Sequence, residues 1–424
     1  AFLLVVPFGS LLSGLYPAFV LASFKPVSVL KSLKVTNKRG LSLRKGLIAF
    51  QFLIAVLLIS GTYLVYQQIT FMKQKDLGFD MEKILVINGP RVVLETIKKE
   101  GSTLSAKYKP FINQIVGHHT ISAISATSHI PGRDNPFSVN FRKLEQFSEE
   151  VKTGNAAFVD TSFIKTFGME FLAKGIIPQK IKHYEWLIIN EKTLKILEYK
   201  SPQEALYQKL IVFGDTLEIV GVVNNIHWNS LKEDVSPMLY ALDNEYGAYF
   251  SIKMDLSDIP ATIAHIESVY KKAFPTDPFH YFFLDETFNK QYQADLQFGN
   301  LFSVFSILAI FIACLGLFAL VSFSATLRMK EIGIRKVLGA SISNLMILLS
   351  SEYLVLLLIS IIVAIPVIII GGKGWLENYA YKIEMGFDLF LIPALALLLI
   401  SLVTVSYRTY VSAKVNPVNA LRKE

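Results

Sequence analysis

The charged side chains of one short segment, Thr326–Ser341 (TLRMKEIGIRKVLGAS), have the types and spacing to dock on another protein rather than to catalyse. On a helix, Arg328, Glu331 and Arg335 fall at i, i+3 and i+7, so they line one face, and Glu331 and Arg335 form an i,i+4 pair of opposite charge. Ile334, Val337, Leu338 and Ile342 fall on the opposite face. Such a helix would lie along a membrane surface and turn its charges to a partner. Gly333 and Gly339 permit close approach or a sharp bend where the chain turns back. A basic loop without any partner would account for the same charges, and the spacing alone leaves both open.

Catalytic chemistry finds little support. The chain has seven histidines and a single cysteine. His118, His119 and His129 could be imagined around a metal, but adjacent imidazoles seldom converge on one ion and no Cys or H-x-x-x-H pattern accompanies them. No Ser-His-Asp set stands in the context of a nucleophile elbow. A phosphate-cradling loop is also missing, since Gly371-Gly-Lys-Gly374 lacks the spacing and the hydroxyl residue of a P-loop. The expectation is therefore a non-enzymatic chain with no cofactor and no metal, whose energy comes from elsewhere.

The docking segment is positioned by what flanks it. Apolar runs at 297–325 and 345–372 lie on either side, each long enough to cross a bilayer. Further runs at 2–24, 46–68 and 389–411 bring the expected spans to five. The composition agrees, with 52% hydrophobic residues and a mean hydropathy of +0.44, values that suit a polytopic membrane protein. Within the spans Gln51, Glu352 and Pro366 stand out. Glu352 is about two turns from the cytoplasmic edge, where it could face a helix interface or snorkel, and this favours a packing role over a functional one. Pro366 is expected to kink its helix. Ser60-Gly61, Cys314 and Gly316 are small enough to let helices approach closely.

Net charge reports topology. The chain carries +8, but residues 71–296 hold 25 Lys/Arg against 28 Asp/Glu, and the remainder holds 17 against 6. The excess gathers in 25–45, 326–345 and the tail from 408. By the positive-inside rule these faces are cytoplasmic, which leaves 71–296 and 373–388 outside. The basic balance thus points to a lipid bilayer and away from nucleic acid. With Cys314 alone, and inside a span, no intrachain disulfide is available to the outer domain.

The outer segment reads as an α+β or α/β domain in two lobes. Runs at 82–88, 186–190 and 217–224 have strand character, while 159–168, 191–199 and 259–273 have helical spacing. The polar stretches 131–135 and 145–154 read as loops. A weak internal repeat joins the two basic exits: 16–31 (YPAFVLASFKPVSVLK) and 407–422 (YRTYVSAKVNPVNALR) share six of sixteen residues. It suggests that residues 1–24 end a truncated first module and that a complete second module follows.

The segment RMKEIGIRKVLGAS, set between two spans, resembles the signature of the FtsX/MacB-type permeases of ABC transporters, in the duplicated form of Bacteroidetes-type bacteria. Other stretches are similar to the same family: LGFD at 77–80, VDTSFIKTFGM at 159–169, INE at 189–191, IVGVVNNIH at 219–227, SPM at 236–238 and NPVNAL at 416–421. The resemblance implies a polytopic α-helical membrane protein with a large extracytoplasmic α+β domain between the first and second spans of the module. Its parts would be a last span of the first module (1–24), a basic cytoplasmic linker (25–45), a span (46–68), the periplasmic domain (71–296) and a permease domain (297–424). Within the last lie spans 297–325, 345–372 and 389–411, a coupling helix at 326–341 and a tail at 412–424.

The resemblance further implies a function. Two cytoplasmic ATPase subunits would dock on coupling helices, and their closure would shift the spans and move the periplasmic domain against a client such as a peptide, drug or lipoprotein, with or without a periplasmic adaptor. The matching ATPase-facing residues here are Arg328, Lys330, Glu331, Ile332, Gly333, Arg335, Lys336 and Gly339, and the expected location is the bacterial inner membrane. A different class of protein, a membrane sensor with a ligand-binding outer domain and no ATP-driven work, would share the topology. It would normally carry a recognisable cytoplasmic output domain.

Overall fold

The computed structural model describes residues 38–90, 104–133, 136–146, 150–178, 181, 184–244, 247–328, 331, 334–335 and 338–413. Four of the five apolar runs form helices long and apolar enough to cross a membrane, at 42–74, 293–327, 350–376 and 388–407. The run at 2–24, the linker up to residue 37 and both halves of the repeat lie wholly or partly outside the described residues. In lipid every backbone N–H and C=O must be satisfied within its own segment, which selects helix for such runs. Their outward side chains are bare in the protein: Phe311, Ile362, Ile370, Leu399 and Val403 are all more than half exposed, as acyl chains would require.

In chain order, α1 spans Lys38–Gln74, β1 Ile84–Asn88, α2 Leu104–Val116, β2 Ile121–Thr127, β3 Phe137–Lys143, β4 Lys152–Val159, β5 Phe171–Lys174, β6 Trp186–Asn190, β7 Lys209–Val212, β8 Asp215–Val223, β9 Met238–Leu242 and β10 Tyr249–Met254. Helix α3 (Ile259–Ala273), β11 (Tyr281–Phe283) and the long helices α4 (Gln293–Leu327), α5 (Ile342–Leu376) and α6 (Asp388–Ala413) follow. Contacts divide the chain into two compact units, one of Ala1–Val56, Leu308–Ala364 and Ala394–Glu424, the other of Leu57–Ile307 and Ile365–Pro393.

In the first unit the described helices pack through small and apolar side chains. Phe52, Ala55, Ala313, Leu317, Leu357 and Leu397 are almost wholly buried. A Cβ on Gly316 would come within 2.5 Å of Gln51 Oε1, so this glycine is what lets α1 and α4 meet at that level. Ser360 donates from Oγ to Ala49 O at 2.7 Å. Pro366, in the other unit, lies inside α5.

The second unit is dominated by an eleven-stranded mixed sheet. Strands β11, β1, β10 and β2 pair antiparallel in that order, and α2 and α3 cover them with a core of Tyr108, Phe111, Phe250, Tyr270 and Phe274. Thr127 opposite Val159 links β2 to β4. From there β4, β3, β7, β8, β6 and β9 follow one another, and β9 pairs parallel with β4, closing the ring. Closure removes the free edges of these strands, and Phe141, Leu187, Ile189, Leu217 and Ile219 fill the space between them. A third core carries Val65, Ile69 and Met72 of α1 together with Phe163, Tyr240, Phe288 and Tyr379.

Strand β6 and helix α3 cover the same residues as the runs read from sequence, because β6 is a short apolar run buried on both faces and α3 a fifteen-residue helix with one buried side. Two readings need correction. Residues 152–154 belong to β4 and are not loop, since Gly154 packs where a Cβ would be 2.9 Å from Phe141 and from Pro237 O. Of the helical reading at 159–168 only one turn, Phe163–Thr166, is helix, and Val159 ends a strand. The alternating buried side of β4 contains Gly and Ala, which carry too little apolar surface to register as a strand period.

Candidate functional site

Of the docking segment, Arg328, Glu331, Ile334, Arg335, Leu338 and Gly339 are described, and Lys330, Ile332, Gly333 and Lys336 lie outside the described residues. Helix α4 ends at Leu327, and Glu331, Ile334 and Arg335 are again helical. The Arg335 Nη2 lies 2.7 Å from Glu331 Oε1, the i,i+4 pair expected from spacing, with both side chains about half exposed (48% and 46%). Such a pair contributes only about 0.3–0.5 kcal/mol to the helix, so it shapes a surface more than it stabilises one.

The turn ends on a defined stop. Gly339 has φ +88°, the Ala340 N–H donates to Arg335 O at 2.9 Å, and Ser341 Oγ accepts from Asn344 N at the start of α5. A glycine in the left-handed region with a six-to-one hydrogen bond is a Schellman ending. This is the bend that a glycine at 339 was expected to allow. Before it Leu338 is 80% exposed and Ile334 52%, a pair of apolar side chains left bare among the described residues.

Arg328 faces elsewhere. Its Nη2 lies 3.2 Å from Glu352 Oε2, and Lys45 forms a second ion pair with Glu352 Oε1. One carboxylate on α5 therefore holds a cation from α1 and another from the end of α4. Arg44 beside this triad lies 4.3 Å over the Phe323 ring. Sequence reasoning singled out Glu352 for a packing role but could not name its partners, because Lys45 stands 307 positions away. The available signal was a lone acid in an apolar helix near two basic helix ends.

In the second unit, five stretches quoted for the family resemblance are drawn into one hydrogen-bonded system. Gly78 has φ +79°, and a Cβ there would sit 2.3 Å from Asn225 O. The His227 N–H donates to Leu77 O at 2.9 Å, and the Asp80 N–H to Phe167 O at 2.9 Å. Asn225 accepts at Oδ1 from Lys192 N at 2.8 Å and donates to Glu191 Oε2 at 3.2 Å. Asn190, fully buried, accepts from Thr193 N and Met238 N, each at 3.0 Å, and donates to Ser236 O at 2.9 Å. Both polar atoms of its amide are thus used, holding the 236–238 end of the 224–238 segment, while Asn225 holds the other end.

Asp160 fixes another point of the same domain, where the end of β4 meets β2. Its carboxylate accepts from Ser125 Oγ at 2.7 Å, Ala126 N at 2.9 Å and Ser162 N at 3.0 Å. Burial pushes its pKa up to about 6 against the pull of those donors. These residues serve as brackets: each is spent on the backbone of its own domain. Among the histidines, the His118 ring lies tilted against His119 and His265 at 4.6 and 4.4 Å, and His129 Nδ1 is 2.9 Å from Ser128 Oγ. Among the described residues no group of three His, Cys, Asp or Glu side chains is placed to hold a metal ion, and His183 lies outside them.

Residues 303–417 match the family described as FtsX-like permease C-terminal. No curated protein matches the chain. Similar solved structures include the extracellular domain of the noncanonic ABC-type transporter YknZ from Gram-positive bacteria, with 14% identity, a TM-score of 0.32 and coverage of 47% of this chain and 98% of that one. The periplasmic region of MacB from Actinobacillus actinomycetemcomitans is similar at 12% identity and TM-score 0.34, covering 50% and 94%. A domain of a putative permease protein from Porphyromonas gingivalis is similar at 11% identity and TM-score 0.31, covering 48% and 90%.

Proposed function

We propose that this chain is the membrane-spanning permease subunit of an ABC-type transporter, driven by a separate cytoplasmic ATPase that docks on residues 326–341. The observation that carries the reading is the docking segment itself. Within the stretch matching the FtsX-like permease C-terminal family, two membrane-length helices are joined by a turn with a half-exposed Glu331–Arg335 pair and bare Ile334 and Leu338. Exposed apolar side chains beside an ion pair suit a protein surface, because the apolar groups supply affinity and the charges supply register. Lys330, Ile332, Gly333, Lys336 and Gly339 complete the proposed contact, whereas Arg328 contributes through its bond to Glu352.

In this reading two ATPases close on nucleotide, the Arg328–Glu352–Lys45 triad ties the docking segment to α5 and α1, and the large domain moves in the periplasm of an inner-membrane complex. The client is a periplasmic or membrane-bound molecule such as a peptide, drug or lipoprotein, reached with or without an adaptor. The test is co-purification of an ATPase subunit from native membranes. Charge reversal at Glu331 together with Arg335 is expected to abolish it. Association that survives the reversal, or an absence of any nucleotide-binding partner for the parent chain, would overturn the proposal.

A further inference from the structure

The chain that follows α5 makes an unusually dense set of bonds to the large domain, all within the second unit. The Ala380 N–H donates to Lys232 O at 2.9 Å and the Tyr381 N–H to Leu231 O at 3.2 Å. Tyr379 Oη donates to Asp295 Oδ1 at 2.9 Å. The Lys232 ammonium lies 2.8 Å from the other oxygen of Asp295, whose side chain is only 12% exposed. Asp295 belongs to the first turn of α4, so one carboxylate joins a helix end, the loop after α5 and the 224–238 segment.

Helix α1 enters through Gln68, which is wholly buried. Its Nε2 donates to Tyr381 O at 2.8 Å and its Oε1 accepts from Ile383 N at 2.9 Å. Tyr381 Oη in turn donates to Asp234 Oδ1 at 3.2 Å, and its ring meets His227 at 4.7 Å and the Lys75 ammonium at 4.9 Å. Tyr379 sits in the apolar core with Val65, Ile69 and Met72, and Trp375 and Tyr381 pack against it. A hinge needs few contacts and backbone groups that water can take over. Here Gln68, Tyr379 and Leu231 are buried and Asp295 is only 12% exposed, so breaking their bonds would leave polar atoms with little access to water.

We infer that this cluster is a rigid joint, with Asp295, Tyr379 and Gln68 as positioning residues that make the large domain and the adjoining ends of α1, α4 and α5 one mechanical body. The Asn190 and Asn225 brackets belong to the same device, since they fix the segment that presents Lys232 and Asp234. A displacement of any one of the three helix ends is then passed to the domain without slack. The consequence for transport rests on the function proposed above, but the joint itself does not.

The test uses the full chain in lipid nanodiscs without nucleotide or ATPase, in a Cys314→Ser background with spin labels at Lys271→Cys and Glu377→Cys. A single narrow distance distribution is expected. Tyr379→Phe with Asp295→Asn should broaden it and lower amide protection at Ala380 and Tyr381 by about tenfold. A broad or two-peaked distribution in the parent overturns the joint, and so do a width and a protection unmoved by the substitutions. If the double variant loses protection in β6 and β8, which signals misfolding, Tyr379→Phe alone decides by the same two readouts. Because no ATPase is in the sample, failure here and failure of the docking reading are separate results.

Discussion

The docking segment and the bracketed 224–238 segment are built in opposite ways. The first shows half-exposed charges paired over four residues and apolar side chains left bare. The second uses buried and half-buried amides paired across 34 to 48 positions. Exposed i,i+4 pairs hold little energy and leave their surface available, whereas buried side-chain bonds fix geometry and leave nothing over for a ligand. The difference separates the surface proposed to meet another chain from a bracket spent inside one.

The largest expected effect breaks the first side of that comparison. Exchanging the charges, Glu331→Arg with Arg335→Glu, keeps the internal pair but inverts the surface pattern. ATPase co-purification should fall more than tenfold, with amide protection in β6 and β8 unchanged. Binding retained by the exchanged variant would overturn the docking proposal and leave the pair a role in the turn alone. On the other side, Gly78→Ala places a methyl in the left-handed region against Asn225 O. It should destabilise the large domain by about 3–4 kcal/mol, read as a lower urea midpoint in the fluorescence of Trp186 and Trp228.

Asp160 tests the bracket by pH. Its folded-state pKa of about 6 lies above the ordinary 3.8, so the folded state binds the proton more tightly. Its contribution is fully present below about 4 and is lost as pH rises through about 6, a span of at most about 3 kcal/mol. Urea midpoints of the parent should carry this falling component between those limits, and Asp160→Asn should remove it. An equal slope in the variant would assign the pH dependence to other groups.

The smallest effect sharpens the boundary between the two types of site. Glu352 is a quarter exposed and holds Lys45 and Arg328. Glu352→Gln should cost about 1 kcal/mol or less in stability, while weakening the response of the spans to the docked ATPase. Thermal melting of the purified chain and nucleotide-stimulated turnover of the complex would tell the two apart. A large drop in melting temperature would make the triad structural.

Legibility followed the range of the interactions. Helix α3, strand β6 and the Glu331–Arg335 pair could be read because their cause is local, whether a 3.6-residue period, an apolar run or a spacing of four. The strand at 152–159 was missed where its inward residues are Gly and Ala, and Glu352 was noticed without its partners. Asn190, Asn225 and Asp160 stood inside stretches marked by resemblance, yet nothing local distinguishes an amide that holds a loop from one that meets solvent.

By itself the sequence determined the membrane-length helices, the basic segments beside them, the charged turn between α4 and α5, and the want of a phosphate-binding loop. These follow from hydropathy, charge asymmetry and short spacing, which act along the chain. Only the tertiary structure decided that β9 closes a ring on β4, that one carboxylate at 352 gathers two distant cations, that Tyr379 meets Asp295, and that Gln68 holds the backbone at Tyr381 and Ile383. Those pairings span tens to hundreds of residues, and buried polar groups choose their partners by which segments the apolar cores bring together.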